Sequence, residues 1–438
     1  MYLLNYERVK SLKSSVLRGL GKLSLSLLFS IGFASYAQAQ ESCQDVFGFF
    51  SFPRIIDELD PYAPHTIEDV PSYLRNKIGK ETLSEVHNEN VDYIILQGPG
   101  TLYKNFFTAP DVVKIKEIPN DFGAFNVVRV EFKNGRSAFV FTNVNGESRY
   151  LQVLSFLRLA RVDENRIYSK GQLVSYNIIY RRTFRALKEV PDLVVFGFSN
   201  TSFEIITKNN PVKAREAYLA TNHRYATQKW IKPLFMEHEL QNMGVQAMTF
   251  ANGKKVWFID NEYGDRATVL IEALQNHGVK NILLLGTAGS LNPIYQVGDV
   301  VSPQTYADGN GRMILSNTTF SLVQRSGEHV HVDSPALESK RWLKQEIADG
   351  NDLVDVELQK AAGVIAPTVH FEAYLVVSDL LNSKTPQDYT KWTEKSRQKS
   401  MEALKPILTQ SLLRIGVQPT TEITDYKVEY FKTTKGDQ

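Results

Sequence analysis

One stretch of the chain, from Gly278 to Val301, decides the fold and reads GVKNILLLGTAGSLNPIYQVGDVV. The apolar run Asn281–Leu285 predicts a buried strand, and the small residues Gly286-Thr287-Ala288-Gly289 predict a turn at its end. Glycine in such a turn lets a ligand approach the backbone closely, and Thr287 offers that ligand a hydroxyl and an amide. Because Gly-rich turns after strands are frequent in α/β proteins, the turn alone does not identify a function.

Further strands and helices alternate on both sides of this stretch. Apolar runs that are buried on both faces suit parallel strands covered by helices, so the sequence predicts an α/β fold with a mixed, largely parallel central sheet flanked by helices. Ligands of such sheets collect at the strand ends, where loops converge. The predicted strands are Leu193–Phe198, Val245–Phe250, Lys255–Asp260 and Tyr374–Ser378, and the predicted helices are Arg266–His277, Leu337–Ala348, Glu357–Ala366 and Thr390–Ile415.

An additional α/β pattern lies within residues 40–187. Asn134-Gly135 is a strong hairpin signal, a predicted strand at Val91–Leu96 precedes it, and a helical pattern over Gly146–Val162 follows it. The sequence FKNGRSAFVFTNVNGE around this turn matches FANGKKVWFIDNEYGD around Gly253 in the spacing of its Asn and Gly residues. Either the first half is a partial repeat of the second, or both are ordinary strand-turn-strand-helix units.

The first 39 residues are predicted to be a signal peptide. Five basic residues precede a short apolar run, Leu23–Phe33, and Ala37-Gln38-Ala39 places small residues where a signal peptidase cleaves. This run of 11 residues is shorter than the roughly 20 that a membrane-spanning helix needs, and an uncleaved anchor is the alternative. We therefore expect an exported protein, periplasmic or secreted, that begins near Gln40 and has no stable membrane insertion.

Composition and charge exclude several classes of protein. The 438 residues are 43% hydrophobic and 22% charged, which suits a folded chain of two domains. Residues 1–39 hold five basic residues and one acidic residue, so their removal changes the formal net charge from +2 to −2, and no nucleic-acid partner is expected. The single cysteine, Cys43, allows no intrachain disulfide, and the eight histidines show no convincing metal-ligand spacing. We expect neither a metal nor a redox cofactor.

Two more stretches follow the Gly286–Gly289 turn, namely DLVDVELQKAAGV from Asp352 to Val364 and FEAYLVVSDLLN from Phe371 to Asn382. In this order the three stretches resemble the purine nucleoside phosphorylase and nucleosidase superfamily, and the resemblance covers residues 188–417. It implies a nucleoside phosphorylase-like fold, a small-molecule nucleoside as the ligand, and a homo-oligomer. Residues 418–438 remain as a polar C-terminal tail.

The resemblance also implies roles for individual residues. Glu357, preceded by Val356 where the family has Met, would bind the ribose, because a carboxylate can accept hydrogen bonds from both hydroxyls of a diol. Asp379, after Ser378, would be the general acid that protonates the purine as the glycosidic bond breaks. The Gly286–Gly289 turn would lie under the sugar. Taken singly, each residue has an ordinary alternative interpretation. Glu357 alone is also explained as a solvated residue at the start of a helix, and Asp379 alone as a helix N-cap.

Two departures from the family bear on the type of reaction. Leu284 replaces the arginine with which the phosphorylases hold phosphate, which favours hydrolysis, although phosphate stays a candidate co-substrate. Hydrolysis needs a base that orients water. The candidate for this base is Glu204, near the loop after the strand Leu193–Phe198, and Arg266 is the candidate for a compensating positive charge. The sequence therefore predicts an enzyme that cleaves the N-glycosidic bond of a purine nucleoside. The alternative is a non-catalytic periplasmic nucleoside-binding or interaction protein on a decayed nucleosidase fold.

Overall fold

The structure is a computed structural model in which the described residues fall within one compact unit, Ser51–Gln438. The predicted signal peptide and Cys43 lie outside the described residues. Within the described part of the chain, no helix is both long and apolar enough to cross a membrane. The described residues are 63–97, 103–120, 125–170, 180–181, 184, 189–206, 245–250, 252–308, 311–314, 324–326, 328–383, 393–417 and 426–430.

A five-stranded sheet with helices forms the first half of this unit. Its elements are α1 (Val70–Ile78), α2 (Lys80–Ser84), β1 (Val91–Gln97), α3 (Lys104–Phe107), β2 (Val112–Ile118), β3 (Asn126–Phe132), β4 (Ser137–Val144), α4 (Glu147–Leu159) and β5 (Ile167–Lys170). The strand order is β2-β3-β4-β1-β5, with β1 parallel to β4 and β5, and with β3 antiparallel to β2 and β4. The hairpin turn between β3 and β4 is the predicted one, with Gly135 at a φ of 82° that only glycine adopts readily.

A ten-stranded sheet and a separate two-stranded hairpin form the second half. The order of the ten-stranded sheet along the main path is β13-β10-β16-β9-β6-β8-β7-β17, with β14 and β15 attached beside β9. Strands β8, β6, β9 and β16 are parallel to one another and form its centre, while β7 and β10 pair antiparallel on either side of them. The elements are β6 (Leu193–Phe196), α5 (Ser199–Ile206), β7 (Val245–Phe250), β8 (Lys255–Ile259), α6 (Asp265–His277), β9 (Asn281–Ser290), β10 (Val300–Pro303), β11 (Thr305–Asp308), β12 (Gly311–Ile314), β13 (Gln324–Ser326), β14 (His329–His331), α7 (Lys340–Ala348), β15 (Leu353–Asp355), α8 (Leu358–Ala362), β16 (His370–Leu380), α9 (Glu394–Arg414) and β17 (Tyr426–Tyr430).

Helices cover both faces of this second sheet. One apolar cluster packs α6 and α8 against one face, and a second packs α5 and α9 against the other. The predicted α/β fold with a mixed, largely parallel sheet is confirmed. The structure differs at the end of the chain, where Tyr426–Tyr430, within the segment predicted as a polar tail, pairs antiparallel with β7 as a strand.

The two halves are joined at the segment that precedes α7. His65 forms a bridge with Ser339, and the Thr66 amide donates to the Glu338 carbonyl at 3.1 Å. Ala336 is fully buried within the apolar cluster of the first half. These contacts bring α1 and α4 of the first half beside the strand ends of the second half.

Candidate functional site

The Gly286–Gly289 stretch was predicted as a turn after the strand, and this prediction was wrong: the four residues continue β9, which runs to Ser290 and pairs in parallel with β16. A β-bulge interrupts this pairing after Val377, so that Asp379 lies opposite Gly289. The bulged residue is Ser378, whose hydroxyl donates to the Asp379 carboxylate and lies 3.3 Å from the Ala288 carbonyl oxygen. Bulges of this kind re-aim side chains at sheet edges and active sites. Here the bulge sets the direction of Asp379.

Glycine at position 289 is required by close packing. A Cβ at this position would lie 2.4 Å from Leu381 and 3.0 Å from Val354, so any side chain would displace its neighbours. At Gly286 a Cβ would lie 2.9 Å from Leu375, within the packing of β16. The two glycines therefore allow β9 to approach β15 and β16 closely, and Gly289 keeps the space in front of Asp379 open.

Glu357 lies two residues after the end of β15, at the N-cap position of α8, with its side chain buried. Burial raises the pKa of Glu357 well above its usual value, and the adjacent Asp355 carboxylate raises it further; the Arg149 cation and a hydrogen bond from Asn261 act in the opposite direction. The buried Asp355 is held by His329, whose Nε2 lies 2.7 Å from its carboxylate, and by the Leu358 amide at 3.1 Å. Asp355 thus fixes the backbone turn from which Glu357 projects.

A second carboxyl group, that of Glu338, lies beside Asp379. Burial raises the pKa of Glu338 well above its usual value, the charge of Asp379 raises it further, and a hydrogen bond with Thr66 opposes this shift. Two carboxylates that are close and shielded from water do not both ionise readily, so one of them tends to keep a proton. This proton would be held next to the residue that the resemblance assigns as the general acid.

The first half of the chain supplies the opposite wall of the site. Arg149, in the first turn of α4, lies with its guanidinium 3.8 Å from the centre of the Tyr263 ring and donates to Gln152. Tyr263 is anchored at its hydroxyl, which donates to the Asp333 carbonyl at 3.1 Å. On α1, the buried Lys77 ammonium lies over the Tyr73 ring at 5.1 Å. Arg149 and Lys77 are the cations among the described residues that line the site.

These groups surround one cavity of about 290 Å³. Of the ten residues that the sequence predicts for the site, seven line it: Thr287, Ala288, Gly289, Val356, Glu357, Ser378 and Asp379. The first half contributes Thr66, Ile67, Tyr73, Lys77, Arg149 and Gln152. Among the described residues, no group of three or more His, Cys, Asp or Glu side chains is arranged to hold a metal ion.

The other three predicted site residues do not line the cavity. Glu204 lies on α5 and forms an ion pair with Arg397 of α9 at 3.3 Å, because the chain enters a helix at Ser199 and α5 packs on α9. Arg266 on α6 forms an ion pair with Glu262 and lies 3.2 Å from the Tyr180 hydroxyl. Gly286 is packed beneath the cavity, against Leu375. The structure therefore does not bring the predicted water-orienting base, Glu204, to the site.

Sequence reasoning missed the residues that come from distant parts of the chain. Arg149, Lys77 and Tyr73 precede the region of the family resemblance, and Glu338 lies in a stretch that resembles an ordinary helix. The one available signal was the repeated Asn-Gly pattern, which places Asn261 and Tyr263 just before a helix in the second half and Gly146 just before Arg149 in the first.

Comparison with known families supports the resemblance within the second half. The family model described as the phosphorylase superfamily matches residues 263–370, about a quarter of the chain. The resemblance to this superfamily is thereby confirmed; the matched residues include Thr287 and Glu357 and end before Asp379. No curated protein matches the chain.

Among solved structures, the chain is similar to a 5′-methylthioadenosine/S-adenosylhomocysteine nucleosidase from Helicobacter pylori. The identity is 13%, the match covers 50% of this chain and 99% of the other, and the TM-score is 0.35. It is also similar to a protein from Weissella paramesenteroides provisionally named a methylthioadenosine nucleosidase, at 18% identity, with 36% and 81% of the two chains covered and a TM-score of 0.30.

Proposed function

We propose that this protein cleaves the N-glycosidic bond of a nucleoside. The observation that carries the proposal is that Glu357 and Asp379, which belong to different elements, line one cavity together with Thr287, Ala288 and Gly289. Glu357 binds the two ribose hydroxyls, and Asp379 donates a proton to the leaving base. Carboxylates beside the sugar stabilise the positive charge that develops on it as the bond breaks.

Hydrolysis, rather than phosphorolysis, is the proposed type of reaction. The bond between sugar and base breaks, water forms the new bond to the anomeric carbon, the base leaves with the proton from Asp379, and the proton lost by water restores the acid. Leu284, which stands where phosphorylases carry their phosphate-binding arginine, is only 1% exposed and packs in the apolar cluster beneath α6. An uncharged side chain in the core does not bind phosphate at that position. No metal or redox cofactor enters the proposed reaction, because the protonation of the base and the binding of the sugar use side chains alone.

A non-catalytic nucleoside-binding protein is the second candidate function. The observation in its favour is the position of Glu204, which pairs with Arg397 outside the cavity and is not available to orient water. In a binding protein Glu357 would bind the ribose of the nucleoside in the same way, and Asp379 would have no catalytic role.

The test is base release from adenosine, inosine, methylthioadenosine and uridine by the purified chain, with and without phosphate. Release that is independent of phosphate supports a nucleosidase. Release only in the presence of phosphate overturns the argument from Leu284. Binding of a nucleoside without release of its base would identify the non-catalytic protein instead.

A further inference from the structure

The two halves of the chain share one pattern of strand pairing. In the first half β3 is antiparallel to β4, β4 is parallel to β1, and β1 is parallel to β5; in the second half the same relations join β7, β8, β6 and β9. The registers agree as well. Val127 pairs with Phe141 in the first hairpin, and Val245 pairs with Ile259 in the second, each residue lying 118 positions after its counterpart.

The hairpin turns of the two halves match in detail. Gly135 and Gly253 have φ values of 82° and 81°. The side chains of Asn134 and Asn252 accept from the amides two residues later, at 3.0 and 3.1 Å. A shared sheet order is common to many α/β folds, but the same register and the same turn contacts at equal spacing indicate copies of one unit.

The helices that follow the two hairpins meet at their N-termini in a reciprocal contact. The Asp265 carboxylate accepts from the amides of Glu147 and Ser148 at 3.1 and 3.0 Å, while the Ser148 hydroxyl accepts from the Asp265 amide at 3.0 Å. The residue before each helix must be glycine, because the two helix starts lie too close together for a side chain there. A Cβ at Gly146 would lie 2.8 Å from Asp265, and one at Gly264 would lie 2.2 Å from Ser148. The first turns of the two corresponding helices thus face each other, which is the arrangement of a two-fold interface between copies.

The reciprocal contact determines where Arg149 lies. The amides of Glu147 and Ser148 are held by Asp265, so the first turn of α4 is fixed against the second half, and Arg149 projects from that turn over the Tyr263 ring. Arg149 and Glu357 line the same cavity, and each contributes to the electrostatic environment of the other. An ionised, buried Glu357 needs such a partner, because an uncompensated buried carboxylate is costly.

The sequence of the first half has no segment that corresponds to the one carrying Glu357 and Asp379 in the second half. After β5 the sequence reads Gly171-Gln172-Leu173-Val174, where the second half has Gly286-Thr287-Ala288-Gly289. The chain then reaches β6 at Leu193, within about twenty residues, whereas the second half uses the residues from Ser290 to Leu380 to supply Glu357 and Asp379.

We propose that the first half is a copy of the same α/β unit that completes the site of the second half in place of a partner subunit, with Arg149 as the residue that positions Glu357. This inference rests on the proposed function, since it assigns Glu357 to the ribose hydroxyls. Arg149 favours the ionised form of Glu357 against the effect of burial, and it is a positioning residue with no part in proton transfer.

The test is a set of substitutions assayed for nucleoside cleavage. Arg149→Gln should lower kcat/KM for a ribonucleoside by about 10- to 100-fold, because it removes a cation that shares the cavity with the buried Glu357 carboxylate, and Arg149→Lys should restore part of the loss. The loss for a 2′,3′-dideoxynucleoside should be much smaller, because that substrate lacks the hydroxyls that Glu357 binds. Arg158→Gln is the matched control on α4, since Arg158 pairs with Glu164 on the surface at 2.7 Å.

A double variant keeps the proposal falsifiable if Arg149→Gln folds poorly. In the double variant Arg149→Gln/Glu357→Gln no carboxylate is left buried without its cation. Its loss of kcat/KM should therefore be little greater than the loss caused by Glu357→Gln alone. The proposal would be overturned if the double variant lost kcat/KM by the product of the two single losses. It would also be overturned if Arg149→Gln lowered kcat/KM equally for the ribonucleoside and the dideoxynucleoside. If the wild-type chain releases no base from any nucleoside, the proposed function fails; the pairing of Arg149 with Glu357 is then judged by the coupling of the same substitutions in urea unfolding.

Discussion

At the scale of single residues, the chemistry depends on carboxyl groups that are buried. Glu357 has its pKa raised well above the usual value by burial and by Asp355, and Arg149 opposes the shift. The protonated form of a carboxyl group cannot accept hydrogen bonds from both ribose hydroxyls. Ionisation of Glu357 is therefore expected to limit substrate binding on the acid side.

We predict a pH dependence that Glu357→Gln removes. In the wild type, kcat/KM should rise with pH through the raised pKa of Glu357, because the ionised form is the active one. Glu357→Gln should lower kcat/KM by about 10- to 100-fold at neutral pH, equivalent to about 1.5–3 kcal/mol for a hydrogen bond to a charged group, and should lose this limb of the profile. Steady-state kinetics across pH 5–9 provide the measurement, with Glu131→Gln on the exposed β3 hairpin as the control. An unchanged acid limb in the variant would contradict the assignment.

Glu338 leads to a prediction about stability. Its raised pKa means that the folded protein keeps a proton that the unfolded chain has already released above its ordinary pKa. The free energy of unfolding should therefore fall as pH rises from the unfolded pKa towards the folded one, by up to about 1.4 kcal/mol per pH unit for this one proton.

Glu338→Gln should flatten this dependence, because an amide keeps hydrogen-bonding groups but does not titrate. Urea unfolding of the wild type and the variant at several pH values between 5 and 8 measures the two slopes. Glu357 contributes in the same direction in both proteins, so part of the slope should remain. Equal slopes would show that Glu338 does not hold the proton.

The residues of the site were only partly predictable from the sequence. The resemblance to the nucleoside phosphorylase and nucleosidase superfamily rests on the order of three short stretches. These stretches contain Glu357, Asp379 and Gly286–Gly289, so roles for them could be inferred before their positions were known. Glu204 was misplaced because a spacing of a few residues after a strand does not reveal whether the chain continues as a loop or, as here, begins α5. Arg149 could not be predicted, because its place depends on how the two halves pack.

At the scale of elements, most strands and helices followed from periodicity and turn residues. The strand at Val245–Phe250 was predicted with the bounds that the structure has, and the helix predicted from Arg266 to His277 begins one residue earlier, at Asp265. The bulge at Ser378 was not predictable, since it depends on the pairing of β16 with β9 and leaves no signature in composition. Strand β2 was also missed, because its exposed residues show no buried face.

Gly197 should be among the least replaceable positions in the second half. It has a φ of 78°, and a Cβ there would lie 2.2 Å from the backbone oxygen of Leu285 on β9. Gly197→Ala is expected to cost about 3 kcal/mol or more, since backbone atoms would have to move. Gly253→Ala is the matched control, because Gly253 has a φ of 81° with nothing within 4 Å, and it should cost about 1–2 kcal/mol. Equal losses in urea unfolding would show that the close approach of β6 to β9 is not the constraint.

At the scale of the whole molecule, the site is formed by two halves of one chain. The sequence resemblance covered the second half, and the repeated Asn-Gly turns hinted at the origin of the first. What neither could supply was the contact between the N-termini of α4 and α6, which depends on packing between segments more than a hundred residues apart. The homo-oligomer implied by the resemblance stays a prediction.

Export is a prediction for the whole chain as well. When the full chain is produced in a bacterium with a periplasm, we expect the mature protein to begin near Gln40 and to leave the cytoplasm, because basic residues, a short apolar run and Ala37-Gln38-Ala39 form a cleavable signal. Fractionation with intact mass measurement tests this. A full-length mass in the membrane fraction would indicate the uncleaved anchor instead.

The central claim is that Asp379 protonates a base that leaves the cavity formed around Glu357. The most direct test compares Asp379→Asn with the wild type in one preparation, measuring both kcat for base release from the best nucleoside and the Kd of the same nucleoside by calorimetry under conditions in which it is not consumed. We expect Asp379→Asn to lower kcat by about 10²–10⁴-fold and to change Kd by less than about threefold. The reason is that general acid catalysis acts on the transition state and not on binding. Base release by Asp379→Asn at the wild-type rate, or a loss confined to Kd, would contradict it.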